Sequence, residues 1–310
     1  MTWNKPVSPA GAVLVRTPVW FRSMNRAPLL RWYEPRRGAY PWRVRPEPYR
    51  VLVSEFMLQQ TQATRVLPAY RRFLKRFPSV TALARASRAE VIREWQGLGY
   101  NRRAVSLSEA ARAIVRDHRS RVPSDPEELR RLPGVGPYTA AAVAALAYGK
   151  AVPAVDANVR RITARAELAA EPHEISTARV QEVAAAWLDR RDPGAWNQAL
   201  MDLGREVCRP APRCWLCPLR DGCRFRASGR SPESPPPRQK PFGGSFRQLR
   251  GQVLDVLRER PATLGSLSSA VSQPLARVAA AVSALDRDGL VRAGPGALRG
   301  RSRGRVALRD

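Results

Sequence analysis

Two carboxylates stand in sequence contexts that suit acid–base chemistry. Glu55 is the only acid in the apolar segment YRVLVSEFMLQQT, so we expect its side chain to be half-buried among aliphatic groups. Such burial disfavours the charged form and lets a carboxyl keep its proton near neutral pH. A core glutamate paired with an arginine is the alternative interpretation. Asp156 lies between the extended segment KAVPAV and the helical segment ANVRRITARAEL, and its position alone predicts a helix N-cap.

All the cysteines lie in one short segment. Cys208, Cys214, Cys217 and Cys223 have the spacing C-x5-C-x2-C-x5-C. Four thiolates this close together suit one metal centre, either zinc or an iron–sulfur cluster, and the spacing does not choose between them. A single cysteine group also favours a reducing compartment over a disulfide framework, so we expect a cytoplasmic protein.

A glycine-rich turn joins two helical segments in RLPGVGPYTAA (131–141). Gly134, Val135 and Gly136 would expose backbone N–H groups where the second helix begins, and a helix N-terminus binds anions. The alternative is a helical hairpin whose glycines only permit close packing. The positive charge of the whole chain favours a DNA backbone as the ligand.

The charge of the chain indicates the class of its partner. The 310 residues include 54 Lys and Arg against 26 Asp and Glu, a net charge of +28. Almost all the positive charge is arginine, which contacts phosphate with two donors, so we expect a nucleic acid. A ribosomal or chromatin protein fits the charge equally well. The longest uncharged apolar stretch, 137–149, is too short to cross a membrane, and we expect no membrane association.

Composition divides the chain into four parts. Residues 1–26 predict a basic, flexible leader, and residues 27–227 are helical almost throughout. The proline-rich segment 228–245 predicts a linker. Residues 246–310 predict a small winged-helix-like domain, because three helices precede a basic β-hairpin. These elements are expected at 246–260, 264–271, 275–289 and 290–308.

Six sequence motifs and the cysteine group carry a family resemblance. The motifs are YPWR (40–43), SEFMLQQTQ (54–62), WQGLGYNRRA (95–104), LPGVGPYTAAAV (132–143), VDANVRRI (155–162) and ALMDLG (199–204). In this order they resemble the endonuclease III/MutY superfamily of helix-hairpin-helix DNA glycosylases. SEFMLQQTQ is similar to the MutY branch, the adenine glycosylases that act at A/G and A/8-oxoguanine mismatches.

The resemblance implies an all-α, two-lobed fold. It places a six-helix lobe at about 52–150 and builds a cluster lobe from 27–51 and 151–227. It also implies that the cysteines bind one [4Fe–4S] cluster, although the family commonly has six residues in the first gap where this chain has five. A monovalent cation at the hairpin is a further expectation.

The resemblance also assigns chemical roles. Glu55 would be the general acid that protonates the leaving base and then helps to activate water, and Asp156 would stabilise the oxocarbenium-like sugar. Asn158 would hydrogen-bond within this site. Endonuclease III-type relatives carry a lysine at the position of Tyr138, and its amine forms a Schiff base with the sugar. A phenol cannot do so, and we therefore expect a monofunctional enzyme that uses water.

Further side chains are expected to recognise the base and the duplex. The extruded base needs a pocket, and the gap in the duplex must be filled. Gln60 and Tyr100 resemble residues that enter the duplex near the lesion, and ordinary helix packing is the alternative for Tyr100. The family often has two adjacent tyrosines where this chain has Tyr100-Asn101. By the same resemblance, the adenine pocket would contain Trp42, Arg43 and Asp202, with helix packing again the alternative for the tryptophan.

These observations predict a monomeric, monofunctional base-excision-repair glycosylase. Its substrate would be double-stranded DNA, in which it hydrolyses the N-glycosidic bond of adenine mispaired with guanine or 8-oxoguanine. The residues after the linker are too few for the Nudix-like domain that MutY proteins usually carry. Three alternatives stay open: a glycosylase for thymine or uracil opposite guanine, a bifunctional enzyme of the endonuclease III type, and a non-catalytic DNA-binding protein.

Overall fold

The computed structural model describes residues 25–233 and 241–310. The predicted leader lies outside this part up to Met24, and so do residues 234–240 of the predicted linker. The described chain forms short helices joined by turns, with a small sheet near the C-terminus. The predicted all-α fold class is confirmed.

The first lobe is a bundle of helices around a large hydrophobic core. Phe56, Phe73 and Trp95 are among its fully buried side chains. Side-chain caps begin several of these helices; Asp125, for example, accepts hydrogen bonds from Glu127 N and Glu128 N. The helices up to the end of this lobe are α1 (Ala27–Tyr33), α2 (Pro41–Val44), α3 (Pro48–Leu58), α4 (Ala63–Arg76), α5 (Val80–Arg85), α6 (Arg88–Glu94), α7 (Arg102–Asp117), α8 (Pro126–Arg130) and α9 (Pro137–Tyr148).

The second lobe combines both ends of the glycosylase-like region. Helix α1 packs against α12, so the start of the described chain shares a core with residues more than 150 positions later. Trp187 and Trp196 meet edge to face at this core, with ring centroids 5.1 Å apart. The helices of this part are α10 (Ala157–Leu168), α11 (Thr177–Trp187), α12 (Pro193–Glu206) and α13 (Arg224–Ala227). Single 3-10 turns lie at Glu34–Arg36, Pro172–Glu174 and Cys214–Leu216.

Helix α9 lies at the boundary between the two lobes. Nearly all of its 12 residues are apolar. It contacts α3 and α8 on one side and α12 on the other, which explains why it has no polar face. Neither α9 nor any other helix in the described ranges has the length and apolar character that crossing a bilayer requires.

The C-terminal elements have the arrangement of a winged helix. Their antiparallel sheet has the strand order β1-β3-β2, with Ala262 paired with Val306 and Val291 paired with Leu308. The third predicted helix ends two residues early, and the predicted hairpin contains a one-turn helix between its strands. The elements are α14 (Phe246–Glu259), β1 (Ala262–Thr263), α15 (Leu264–Ala270), α16 (Leu275–Arg287), β2 (Val291–Ala293), α17 (Pro295–Leu298) and β3 (Arg305–Leu308).

Candidate active site

Glu55 is buried more deeply than the half-burial that the sequence predicts. It lies in the middle of α3, where every residue from Val51 to Met57 is buried, and only 4% of its surface is exposed. Its Oε2 atom has no hydrogen-bond partner, and no ion pair within the described ranges involves this carboxyl. The predicted alternative, a core glutamate paired with an arginine, is therefore not what the structure shows.

The surroundings of Glu55 raise its pKa to about 7. Burial is the largest cause, because it penalises the charged form. Hydrogen bonding with Tyr138 lowers the pKa, the negative charge of Asp156 raises it, and the positive charge of Arg43 lowers it. A carboxyl with this pKa holds its proton at neutral pH in a large fraction of molecules, as a general acid must.

Asp156 is an N-cap, and it is also electrostatically coupled to Glu55. Its Oδ1 accepts a hydrogen bond of 2.7 Å from Val159 N at the start of α10, which agrees with the position-based prediction. Its Oδ2 accepts a 2.9 Å bond from Asn158 Nδ2. The charge of Asp156 also acts on Glu55. The two interpretations of this residue are therefore compatible, because the bonds that cap the helix also fix the direction of the carboxylate.

Tyr138, at the start of α9, interacts with both carboxylates. Burial and the charges of Glu55 and Asp156 raise the pKa of Tyr138 well above its usual value, so the phenol stays neutral. Its hydroxyl lies 3.6 Å from Met201 Sδ, a weak acceptor on α12. No sequence signal marks Met201, because methionine in an apolar helix is ordinary core composition.

A cavity of about 300 Å³ opens beside these groups. Tyr138 and Asp156 contribute to one wall, and Thr177 and Gln181 of α11 contribute to another. This volume lies at the lower end of the range for small-molecule sites. The phenol and the capping carboxylate are thus accessible to a ligand that enters between α9, α10 and α11.

The three residues expected in the adenine pocket lie near this site but do not line the cavity. Arg43 and Asp202 form a buried pair, with Nη1–Oδ2 at 2.7 Å and Nη2–Oδ1 at 2.9 Å. Trp42 is 4% exposed and stacks on Tyr40 with ring centroids 4.8 Å apart. The structure therefore shows Trp42 packing in the first core, and the base-binding roles of the three residues stay predictions.

Gln60 and Tyr100 occupy two exposed turns with unusual backbone. Their φ angles are 53° and 43°, in the left-handed region that residues other than glycine rarely adopt. Both side chains are exposed, Tyr100 by 49%. An aromatic side chain held outward on a strained turn fits insertion into a duplex, whereas helix packing, the alternative for Tyr100, does not fit this exposure.

Arg103 connects these two turns. Its guanidinium, almost fully buried, donates to the carbonyl oxygens of Phe56 and Met57 at 2.8 and 2.9 Å and to those of Leu98 and Gly99 at 3.2 Å each. Within the described ranges it has no carboxylate partner. Burial lowers its pKa to about 10. Sequence reasoning missed Arg103, since it lies among many arginines and only the fold surrounds it with carbonyl groups.

We expect Arg103→Met to loosen both turns. Several buried carbonyl oxygens would lose their donor at once, so the free energy of unfolding should fall by about 3 kcal/mol. Arg102→Met is the matched control, because the Arg102 side chain is exposed. Denaturant unfolding measures both variants, and equal stability of the two would contradict the role of Arg103.

The two hairpin glycines have different surroundings. Gly134 has a φ of +74°, and a Cβ there would lie 2.5 Å from Ser106 Cβ and 3.0 Å from Phe56 Cε1. Gly136 has a φ of −86°, and a Cβ there would meet nothing within 4 Å. Val135 between them is buried in the first core. Packing explains Gly134, while Gly136 leaves open space in front of the N-terminus of α9.

A pair of alanine variants distinguishes packing from ligand approach. Gly134→Ala should lower the free energy of unfolding by about 2 kcal/mol or more, through backbone strain and the clash with Ser106. Gly136→Ala should change stability by less than about 0.5 kcal/mol. It should nevertheless weaken duplex binding, because its methyl group would stand between the backbone N–H groups and a phosphate. Unchanged duplex affinity of Gly136→Ala would contradict an anion site at this hairpin.

The four cysteines lie together at the edge of the second core. Cys208, Cys217 and Cys223 pack against this core, and Cys214 is exposed. Burial raises the pKa of Cys217 to about 12, and charges on the other three thiols act in the same direction, which shows that the sulfur atoms lie near one another. Within the described ranges no group of His, Cys, Asp and Glu side chains has the arrangement of a single-metal site. Four thiols on one loop are the donors that zinc or an iron–sulfur cluster takes, so the residues present fit the cluster that the resemblance implies.

Arg161 links the cysteine loop to the capping carboxylate. It donates to Cys208 O at 2.7 Å, to Gly204 O at 2.8 Å and to Asn158 Oδ1 at 2.8 Å. Asn158 in turn donates to Asp156. A Cβ at Gly204 would lie 2.4 Å from Asn158 Cβ, so α12 and α10 approach closely at this point. Sequence reasoning missed Arg161 because its backbone partners, Gly204 and Cys208, lie more than 40 residues away.

Known proteins share these features. Residues 53–186 match the family described as HhH-GPD superfamily base excision DNA repair protein. The chain is 45% identical over 277 residues to an adenine DNA glycosylase of Mycobacterium tuberculosis, covering 87% of this chain and 91% of that protein. It is 40% identical over 213 residues to an adenine DNA glycosylase of Homo sapiens, covering 65% of this chain and 39% of that protein. The solved structure of a thermostable thymine-DNA glycosylase is similar, with a TM-score of 0.61 and 29% identity, over 65% of this chain and 94% of that chain.

These similarities confirm the resemblance that the motifs predict. The match to the mycobacterial protein covers 87% of the chain, which is more residues than the segment 1–240 contains. The match therefore extends into the C-terminal elements. The match to the solved structure agrees with the two-lobed helical fold. The chain therefore belongs to the adenine DNA glycosylase family, within the HhH-GPD superfamily of base excision DNA repair proteins.

Proposed function

We propose that the protein removes adenine from mispaired double-stranded DNA by hydrolysing the N-glycosidic bond. The observation that carries this proposal is the arrangement of Glu55, with its pKa near 7, beside Asp156 and Tyr138. The names of two similar relatives, both adenine DNA glycosylases, supply the substrate class. The mispaired partner, guanine or 8-oxoguanine, belongs to the proposal and rests on the sequence resemblance.

The two carboxyl groups divide the chemistry between them. Protonated Glu55 gives its proton to a ring nitrogen of the extruded adenine, and the electron pair of the glycosidic bond leaves with the base. Positive charge then develops on the sugar, and the carboxylate of Asp156 stabilises it. Water adds to the sugar carbon, and ionised Glu55 accepts the proton that this water loses.

Tyr138 makes the proposed enzyme monofunctional. A covalent Schiff base needs an amine next to the sugar carbon. The lysines in the described ranges are Lys75 and Lys150. Lys150 follows α9, whose ten helical steps from Tyr138 to Tyr148 span about 15 Å. We therefore expect borohydride to trap no covalent adduct with DNA.

The proton on Glu55 predicts the pH dependence of excision. Because the protonated form acts, the single-turnover rate at saturating enzyme should fall as the pH rises through about 7. Well above the pKa, the rate should fall about tenfold per pH unit, as for any general acid. Duplex affinity measured at each pH separates this effect from binding. A rate that rises across the same pH range would show that a base limits the reaction.

The cysteine group completes the proposal. Cys208, Cys214, Cys217 and Cys223 would hold one [4Fe–4S] cluster, which braces the loop next to Arg161 and takes no part in bond cleavage. A monovalent cation at the hairpin, a monomeric state and a cytoplasmic location are further parts of the proposal and rest on the sequence alone.

A panel of oligonucleotide duplexes tests the function. Each duplex carries adenine, thymine or uracil opposite guanine or 8-oxoguanine, and released base is measured in single turnover. We expect adenine release only. Thymine is the rival substrate, because a thymine-DNA glycosylase shares the fold. Release of thymine or uracil without adenine would overturn the assignment, and tight binding without any release would indicate a non-catalytic DNA-binding protein.

A further inference from the structure

The C-terminal elements dock on the first lobe beside the turn that carries Tyr100. Their hydrophobic core includes Ala89, Ile92 and Val105 from α6 and α7. Arg258, 7% exposed, donates to Ile92 O at 3.2 Å and to Asn101 Oδ1 at 3.0 Å. Asn101 directly follows Tyr100. A buried arginine of the C-terminal domain therefore binds the residue next to the exposed tyrosine.

The contacts also orient the β2–β3 hairpin. Arg88, at the start of α6, donates to Gly289 O at the base of the hairpin. Arg258 lies at the other end of α6. In the sequence it precedes β1 by four residues, and β1 pairs with the end of β3 that is nearer the tip of the hairpin. The tip of the hairpin therefore lies toward the end of α6 that leads to Tyr100, the same side as the predicted DNA-binding face.

The tip carries unpaired positive charge. From Gly289 to Arg309 the sequence has six arginines and no acidic residue. Arg299, Arg301, Arg303 and Arg305 are exposed, and none of them forms an ion pair within the described ranges. Arg250 of the same domain, in contrast, pairs with Asp288. Free guanidinium groups grouped on one loop suit phosphate oxygens.

Helix α16 offers few free side chains that could distinguish bases. Its exposed residues are Ala276, Arg277, Ala280 and Arg287. Arg277 is already bound to Gln273 Oε1 at 2.7 Å and to Gly244 O at 2.8 Å. Reading base edges in the major groove needs free donors and acceptors. Arg287 is exposed but lies at the C-terminal end of α16, so contact through this domain is directed mainly to the DNA backbone.

We propose that the wing loop, residues 294–304, together with Arg305 forms a second DNA-binding surface. This surface binds phosphates of the duplex to one side of the mispair. The hydrogen bond from Arg258 to Asn101 sets its position relative to Tyr100. The proposal rests on the proposed function, since duplex DNA is the substrate there. As a consequence, the protein covers a longer stretch of duplex than the two-lobed region alone would cover, and the additional contacts do not depend on base sequence.

Two variants with equal loss of charge test the surface. The wing variant is Arg301→Gln/Arg303→Gln, and the control is Arg119→Gln/Arg121→Gln. The control arginines are exposed, without an ion pair in the described part of the chain, and follow α7 at its far end from Asn101. Tyr148 at the end of α9 bonds to Val122 O, so this loop also lies far from the hairpin turn.

The measurement is the affinity of the full chain for undamaged duplexes at several salt concentrations. One duplex covers only the two-lobed region, and the other is extended by one helical turn, about 10 base pairs, on each side. On the long duplex the wing variant should bind about tenfold more weakly than the control, with a log–log salt slope smaller by about 1.8 for two lost phosphates. On the short duplex the two variants should bind alike.

Equal affinities and slopes of the two variants on the long duplex would overturn the proposal. Because undamaged DNA is used, this outcome does not depend on base excision. Single-turnover excision at saturating enzyme on the short duplex should be the same in both variants. If the protein released no adenine but the wing effect were present, the proposed function would fail while the second surface stood.

Discussion

Glu55→Gln should lower the single-turnover rate of adenine release by about a thousandfold or more, because a general acid contributes up to about 10⁴-fold to such rates. The amide keeps the size of the side chain but has no acidic proton to give to the base. Duplex affinity should stay within about threefold of the unmodified protein, since Glu55 is buried and does not reach the DNA backbone. Gel-based excision assays and equilibrium binding measure the two quantities separately.

Stability provides an independent check on the environment of Glu55. Burial raises the pKa from 4.5 to about 7 in the folded protein, so the stability that this group contributes is complete below pH 4.5 and is lost as the pH rises through about 7. The shift corresponds to a loss on the order of 3 kcal/mol. Glutamine does not titrate. As the pH rises from below 4.5 to above 7, the free energy of unfolding of Glu55→Gln should therefore increase relative to that of the unmodified protein.

Glu127→Gln is the control for these measurements. Its side chain is 71% exposed, in the first turn of α8. The Glu127→Gln variant should excise adenine at the same rate as the unmodified protein. The pH dependence of its free energy of unfolding should also be unchanged. If Glu55→Gln excised adenine at a rate similar to this control, Glu55 would have no role as an acid.

Asp156→Asn should also lower excision by about a thousandfold, because the charge that stabilises the positive sugar is lost. Asparagine caps helices as well as aspartate does, so the free energy of unfolding should fall by less than about 1 kcal/mol. The negative charge of Asp156 raises the pKa of Glu55. Residual activity should therefore decline at a lower pH than in the unmodified protein.

Asp125→Asn is the matched control for the cap. Asp125 begins α8 with the same kind of side-chain bond that Asp156 makes at α10. Both variants should lose a similar small amount of stability, and only Asp156→Asn should lose activity. Equal activity of the two variants would reduce Asp156 to a helix cap, which is all that its position in the sequence predicts by itself.

Local signals predicted the helices well. Asp156 was recognisable as a cap because an acceptor before a helical segment serves backbone N–H groups within three residues. The turn at Gly134 was recognisable because two glycines separate two helical segments. The prediction that depends on burial was less accurate, because Glu55 is more deeply buried than expected. The pocket role of Trp42 stays a prediction.

Distant contacts were beyond the reach of sequence patterns. Arg103 and Arg161 resemble the many other arginines of the chain, yet each lies where the fold gathers carbonyl groups from several elements. The hydrogen bond from Arg258 to Asn101 joins residues 157 positions apart. Composition predicted a linker before the C-terminal domain but contained no signal for where that domain would dock.

Residue identity by itself determined the chemistry that is available to this protein. Position 138 holds a phenol where some relatives hold an amine, Glu55 interrupts an apolar segment, Asp156 precedes a helical one, and four thiols share one loop. Only the tertiary structure decided how those groups behave. The pKa of a carboxyl depends on water exclusion and on charges a few ångströms away, and those neighbours are brought together by packing between helices that are remote in the chain.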